Sequence, residues 1–216
     1  MPLAENRKRA RSDAEKKARK AAILAAARAM IGKDGFEGVT MNELARRADL
    51  SKGTLYLYVR SKEELFLALF ENALEDLVVR IESEADAANL LEVMARAPQE
   101  VPLFLPLLAR LMSVIDINVA DEPLFAAKRR MFALGARVGE VIANLTGAPH
   151  EEARDAASVL MLAMQGAAQS DLSAQRDPAT IPDDLKPAYA AHAFARRFPA
   201  AVRLILGPLF QNATAA

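Results

Sequence analysis

Lys52 and Tyr56 stand four residues apart, as do Thr54 and Tyr58, so on a helix each pair shares a face. An ammonium, two phenols and a threonine hydroxyl are hydrogen-bond donors suited to phosphate oxygens. Two of the chain's three tyrosines fall in this one stretch. The competing reading of Tyr56 is a half-buried ring that merely packs; beside a lysine, contact with a polyanion is the better reading.

Other chemistry is scarce. With no cysteine there are no disulfides, thiolate nucleophiles or thiolate metal sites. The two histidines, His150 and His192, are far apart in sequence with no acidic cluster beside either, which gives no pattern for a metal centre. A Gly-rich phosphate loop, a His-Glu-x-x-His pattern and a glycine-flanked nucleophilic serine are all missing, so an enzyme is the least favoured class and no cofactor is expected. No apolar run is long enough for a membrane span, and the basic N-terminus lacks the apolar run of a secretory signal. The chain reads as soluble and cytoplasmic.

The zero net charge hides an asymmetry. Residues 1–65 carry 15 Lys and Arg against 9 Asp and Glu, whereas residues 66–216 carry 13 against 19. A basic end on an acidic body suits a protein that offers one end to a polyanion.

The elements that must position these residues read as helices throughout, giving an all-α fold. Residues 1–11 read as a basic flexible arm. Ser12 opens a capping box, "SDAE", for a helix to about Lys33 that buries Ala22, Ile23, Ala26 and Met30. Thr40 opens a second box ending at Glu43 and a short helix to about Ala48. Another short helix runs from Ser51 to about Val59, and Ser61 opens a third box ending at Glu64. Short helices joined by tight turns over 12–60 make a three-helix module; a connecting helix over 61–85 leads into a larger helical domain, 61–216. There the pattern predicts a helix ending before Pro98, one from about Pro106 to Asn118, one ending at Gly147, one from Pro149 to about Leu172, and a last helix or helix pair, Tyr189 to Phe210, bent at Pro199.

The stretch "GFEGVTMNELARRADLSKGTLYLYVRSKEELF" at residues 35–66 resembles the helix-turn-helix DNA-binding domain of the TetR (tetracycline-repressor) family of bacterial transcriptional regulators. The similarity extends from about Ser12 to Phe70, and chain length and an all-helical C-terminal part agree with it. The resemblance implies double-stranded DNA as partner. Thr40 would cap the second helix and contact phosphate, and Asn42 would reach a base edge or the backbone. The recognition helix begins at Ser51; Lys52, Gly53 and Thr54 would enter the major groove at its N-terminal end, with Gly53 allowing close approach. Leu57 would meet a thymine methyl, against the competing reading of an ordinary surface leucine. Tyr56, Tyr58 and Lys62 would fix the helix through phosphates. The turn position at Asp49 is commonly glycine in helix-turn-helix motifs, because the backbone there is left-handed; Asp tolerates that conformation better than most residues.

One module reads too few base pairs for useful specificity, so a homodimer on a palindromic operator is expected. The segments "AASVLMLAMQGAAQSDL" and "AHAFARRFPAAVRLILGPLF" are apolar over more than one face and form the expected dimer surface, as the resemblance also implies. The resemblance further implies a small hydrophobic effector among the middle helices, with Phe104, Leu108, Met112, Ile115, Asn118, Phe125, Phe132, Met161 and Gln165 as candidates; the competing reading of these is plain core. Asn118 and Gln165 are singled out because a buried amide demands a partner. The leading expectation is a repressor released from DNA by that effector; the alternative keeps the DNA binding and gives control to a protein partner.

Overall fold

Ala, Leu, Arg and Glu dominate the chain, and helix follows from them almost everywhere. The computed structural model describes residues 2–111, 116–171 and 177–212, and no strand occurs among the described residues. The chain divides into two units, Met1–Leu69 and Phe70–Ala216.

The first unit holds α1 (Pro2–Asp34), α2 (Met41–Arg47), α3 (Lys52–Tyr56) and the opening turns of α4 (Lys62–Glu84). Its core joins Ile23, Ala27 and Met30 of α1 to Leu44 and Ala45 of α2, Leu55 of α3, Val59, and Leu65, Phe66 and Leu69 of α4. Each large side chain fully buried there contributes about 2 kcal/mol. Two expectations are corrected. Ala22 is exposed and Ala27 is buried. The helix begins at Pro2 instead of Ser12, so residues 2–11 continue α1. The physical reason is propensity: Leu, Ala, Glu, Arg and Lys before Ser12 are strong helix formers and nothing among them stops the helix.

α1 ends at a glycine turn. Gly35 is left-handed (φ 70°), and its N–H donates to the Ile31 carbonyl at 3.0 Å. Gly38 lies so close to α1 that a Cβ there would stand 2.5 Å from the Asp34 carbonyl oxygen. Phe36 then meets Phe66 edge-on, ring centres 5.3 Å apart, which holds the turn against α4.

The second unit contains the rest of α4 with α5 (Leu90–Glu100), α6 (Phe104–Arg110), α7 (Asp116–Asn118), α8 (Asp121–Thr146), α9 (His150–Ser170), α10 (Lys186–His192) and α11 (Phe194–Asn212). α9 packs against α6, α8 and α11, and α11 also packs against α5. At the end of α4, Arg80 and Arg96 each reach both Glu84 and Glu100, tying α4 to α5. Gly147 (φ 72°) closes α8 through its N–H to the Ala143 carbonyl at 2.9 Å.

Three boundaries differ from those the sequence suggests. α5 continues through Pro98 to Glu100. The helix expected from Pro106 to Asn118 begins at Phe104, after left-handed Leu103 (φ 64°), and its first segment ends at Arg110. The last helical stretch breaks at Ala193, not Pro199, because the Asp171 carboxylate accepts the Phe194 N–H at 2.9 Å and starts α11 there. Among the described residues, no helix is long and apolar enough to cross a membrane.

Candidate nucleic-acid interface

α2 and α3 are short helices whose ends are fixed by side-chain and backbone caps. Thr40 is extended (φ −121°, ψ 145°), and its hydroxyl accepts the Glu43 N–H at 3.3 Å. Ser51 repeats the device for α3, accepting the Thr54 N–H at 3.1 Å, while its hydroxyl also pairs with that of Thr54 at 2.8 Å. Between the helices the chain turns by a Schellman arrangement: Asp49 N–H reaches the Arg46 carbonyl at 3.3 Å and Leu50 N–H the Ala45 carbonyl at 2.9 Å. Asp49 is left-handed, with φ 53°, at the position where the motif calls for that conformation.

This frame buries Leu44, Ala45 and Leu55 and turns polar and large side chains outward. Thr40, Asn42, Ser51, Lys52, Gly53 and Tyr56 are exposed; Thr54, Tyr58 and Lys62 are half-buried. Leu57, just past α3, is 84% exposed. The Lys52 ammonium lies 6.0 Å from the centre of the Tyr56 ring. α3 ends at Tyr56, short of the helix expected to about Val59. Leu57, Tyr58 and Val59 therefore follow the regular helix, although the Tyr58 and Val59 N–H groups still bond back to the Leu55 carbonyl.

Charge within the unit is locally compensated. Glu43 accepts Arg46 Nε at 2.8 Å and Arg47 Nε at 2.7 Å, and these bonds, Arg46 first, hold its carboxyl at about 2. Arg47 also reaches Asp34 at 3.5 Å, linking α2 to the end of α1. Arg46 and Arg47 stand three and four residues after Glu43, the spacing that brings both onto it within one helix turn. Lys62 lies over the Phe66 ring at 5.6 Å and 3.9 Å from Glu37; Glu37 is fully exposed, so a phosphate competes with it at little cost.

The effector candidates do not converge. Phe104 and Leu108 on α6 are fully buried, with Phe104 stacked on Phe70 at 5.6 Å. Met161 and Gln165 on α9 are half-buried. Phe125 is exposed and Phe132 is 76% exposed; seven residues apart on α8, they share a face. Asn118 is exposed, so the argument from a buried amide does not apply to it. Met112 and Ile115 lie outside the described residues. The second unit has an open groove of about 420 Å³ between α5 and α11, lined in part by Leu91, Arg96 and Arg203, none of them a candidate.

Residues 23–69 match the family model of bacterial regulatory proteins of the tetR family, and residues 64–207 match that of the tetracyclin repressor-like C-terminal domain. The HTH-type transcriptional repressor KstR of Mycolicibacterium smegmatis is 34% identical over 143 residues, covering 60% of this chain and 68% of the relative. KstR of Rhodococcus jostii is 36% identical over 121 residues, 51% of this chain and 55% of the relative. A TetR transcriptional regulator from Rhodococcus sp. RHA1 shares the fold with a TM-score of 0.60 at 21% identity, covering 92% of this chain and 98% of that one. Capped helices around a left-handed turn, followed by a helical second unit, make this a helix-turn-helix, DNA-binding regulator of transcription. The chain belongs to the TetR family of bacterial regulatory proteins.

Proposed function

We propose that the protein is a dimeric repressor that leaves a palindromic operator when a small apolar effector binds. The observation that carries the DNA reading is the Asp49 turn, which sets α3 with Lys52, Gly53 and Tyr56 outward. In this reading Lys52, Gly53 and Thr54 enter the major groove, and the pair Ser51–Thr54 opens to offer two hydroxyls. Leu57 meets a thymine methyl. Thr40, Asn42, Tyr56, Tyr58 and Lys62 hold the flanking backbone. Repression is the function named for the KstR relatives and is carried to this chain as part of the proposal.

Dimerisation through α9 and α11 is supported by Leu162 and Leu204, which are 69% and 78% exposed on these two apolar helices. For the effector, Phe104, Leu108, Met161 and Gln165 are the best-placed candidates, because α6 and α9 pack together. An effector that favours one dimer geometry changes the distance between recognition helices and so the fit to successive grooves.

Selection of bound duplexes from a random library tests the core of this reading. Two related half-sites in inverted orientation, with centres about one helical turn apart or a multiple of it, are expected. A single unrepeated site, or no enrichment, contradicts it.

A further inference from the structure

The charge that gives the first unit its basic character is not in the helix-turn-helix. Residues 23–69, the span of the family match, carry seven Lys and Arg against six Asp and Glu, a balance of +1. Several of those cations are engaged internally: Arg46 and Arg47 with Glu43, Arg47 also with Asp34, and Lys62 with Glu37. Residues 1–22 carry eight Lys and Arg against three acids, a balance of +5. They precede the family match, and from Pro2 onward they belong to one continuous helix with it.

Every residue from Ala14 to Ala22 is exposed, and Ile23 is the next residue and lies in the core. Residues 14–22 of α1 therefore stand clear of the core as a rod of about 14 Å at about 1.5 Å per residue. Within this stretch Lys16, Lys17, Arg19 and Lys20 fall inside an arc of about 160°, on one side of the helix. Four flexible cations on one side of a helix can meet phosphates at the same time.

We infer that the exposed stretch of α1 over residues 14–22 is a phosphate-binding extension that supplies most of the sequence-independent affinity of this protein for duplex DNA. This rests on the DNA-binding reading above and deepens it. α3 selects the site, while α1 supplies electrostatic attraction that α2, with both its arginines paired to Glu43, largely lacks.

The test uses the full chain carrying Lys16→Gln, Lys17→Gln, Arg19→Gln and Lys20→Gln; glutamine keeps helix propensity while removing charge. The probe is a random-sequence duplex several turns long, titrated between about 50 and 200 mM salt. The plot of log affinity against log salt should become shallower by about 3 to 4, at about 0.9 for each phosphate no longer neutralised, with at least about tenfold weaker binding at about 0.1 M. A charge-keeping variant, Lys16→Arg with Lys17→Arg and Lys20→Arg, should retain the wild-type slope, which a merely structural defect would not allow. A quadruple variant with the wild-type slope overturns the inference while leaving any selected operator intact. A shallower slope in a protein that selects no operator leaves the phosphate contact standing and removes the operator reading instead.

Discussion

The backbone N–H of Leu50 donates to the carbonyl of Ala45 at 2.9 Å, a bond that closes the turn because Asp49 between them is left-handed (φ 53°). That conformation crowds Cβ against backbone in any residue but glycine. Asp49→Gly should therefore raise stability by about 0.5 to 1 kcal/mol in denaturant titration. Asp49→Val should lower it by about 1 to 2 kcal/mol, since a β-branched residue has no local hydrogen bond to offset the strain. A valine variant as stable as the parent would show that the turn is not the constraint described. Because the glycine variant also removes a carboxylate just before α3, its affinity for DNA should rise, most at low salt.

Tyr56 and Lys52 make separable contributions. Tyr56→Phe leaves the ring beside the Lys52 ammonium, 6.0 Å from its centre, and removes only the hydroxyl. Operator affinity should fall about tenfold, the worth of one hydrogen bond to a charged phosphate. Lys52→Ala should also weaken operator binding and reduce the salt slope by about 1 if the ammonium meets phosphate. Unchanged affinity in both variants would sink the contact assignments.

The helix-turn-helix was legible because its signals are local. Thr40 and Ser61 each cap a helix by accepting the N–H of the residue three positions on, as the sequence pattern implied. The reciprocal half of each box was not legible. Glu64 reaches the Arg60 N–H, and Glu43 is captured by two guanidiniums whose charge outcompetes a neutral amide. Ser12 was misread for a related reason: a capping residue inside a run of strong helix formers does not start a helix. In the second unit the helices are apolar on more than one face. Spacing alone could not tell that Phe104 points into the core while Phe132 points out of it.

Two bidentate Arg forks join α8 to α4. Arg130 grips Glu71 through two bonds of 2.9 Å, and Arg137 grips Glu82 at 2.8 and 2.5 Å. The hydrogen bond from Arg137, opposed by a smaller desolvation effect, holds the Glu82 carboxyl below its usual value of 4.5. A lowered folded-state pKa means that the unfolded chain binds the proton more readily. The pair therefore contributes stability above about pH 4.5, and that contribution disappears as pH falls through the folded value. Both side chains are a third or more exposed, so the gain is at most about 1 kcal/mol. Glu82→Gln should remove this increment at neutral pH and converge on wild type in acid, measured as the unfolding midpoint across that range. A constant difference at all pH values would assign the effect to packing instead.

Leu162 and Leu204 provide the sharpest test of assembly, because within one chain they are 69% and 78% exposed. An arginine at either position costs a monomer little, since a leucine that water already surrounds contributes little to the fold. If α9 and α11 of two chains pack together, the same arginine is driven into an apolar interface without a partner, which costs several kcal/mol. Leu162→Arg and Leu204→Arg should therefore keep their helix content and shift sedimentation from dimer to monomer. Affinity for a two-half-site operator should fall steeply, while binding to a single half-site, weak to begin with, stays unchanged. Variants that remain dimeric would place the interface elsewhere, and the exposed Phe125 and Phe132 on α8 are the next surface to substitute.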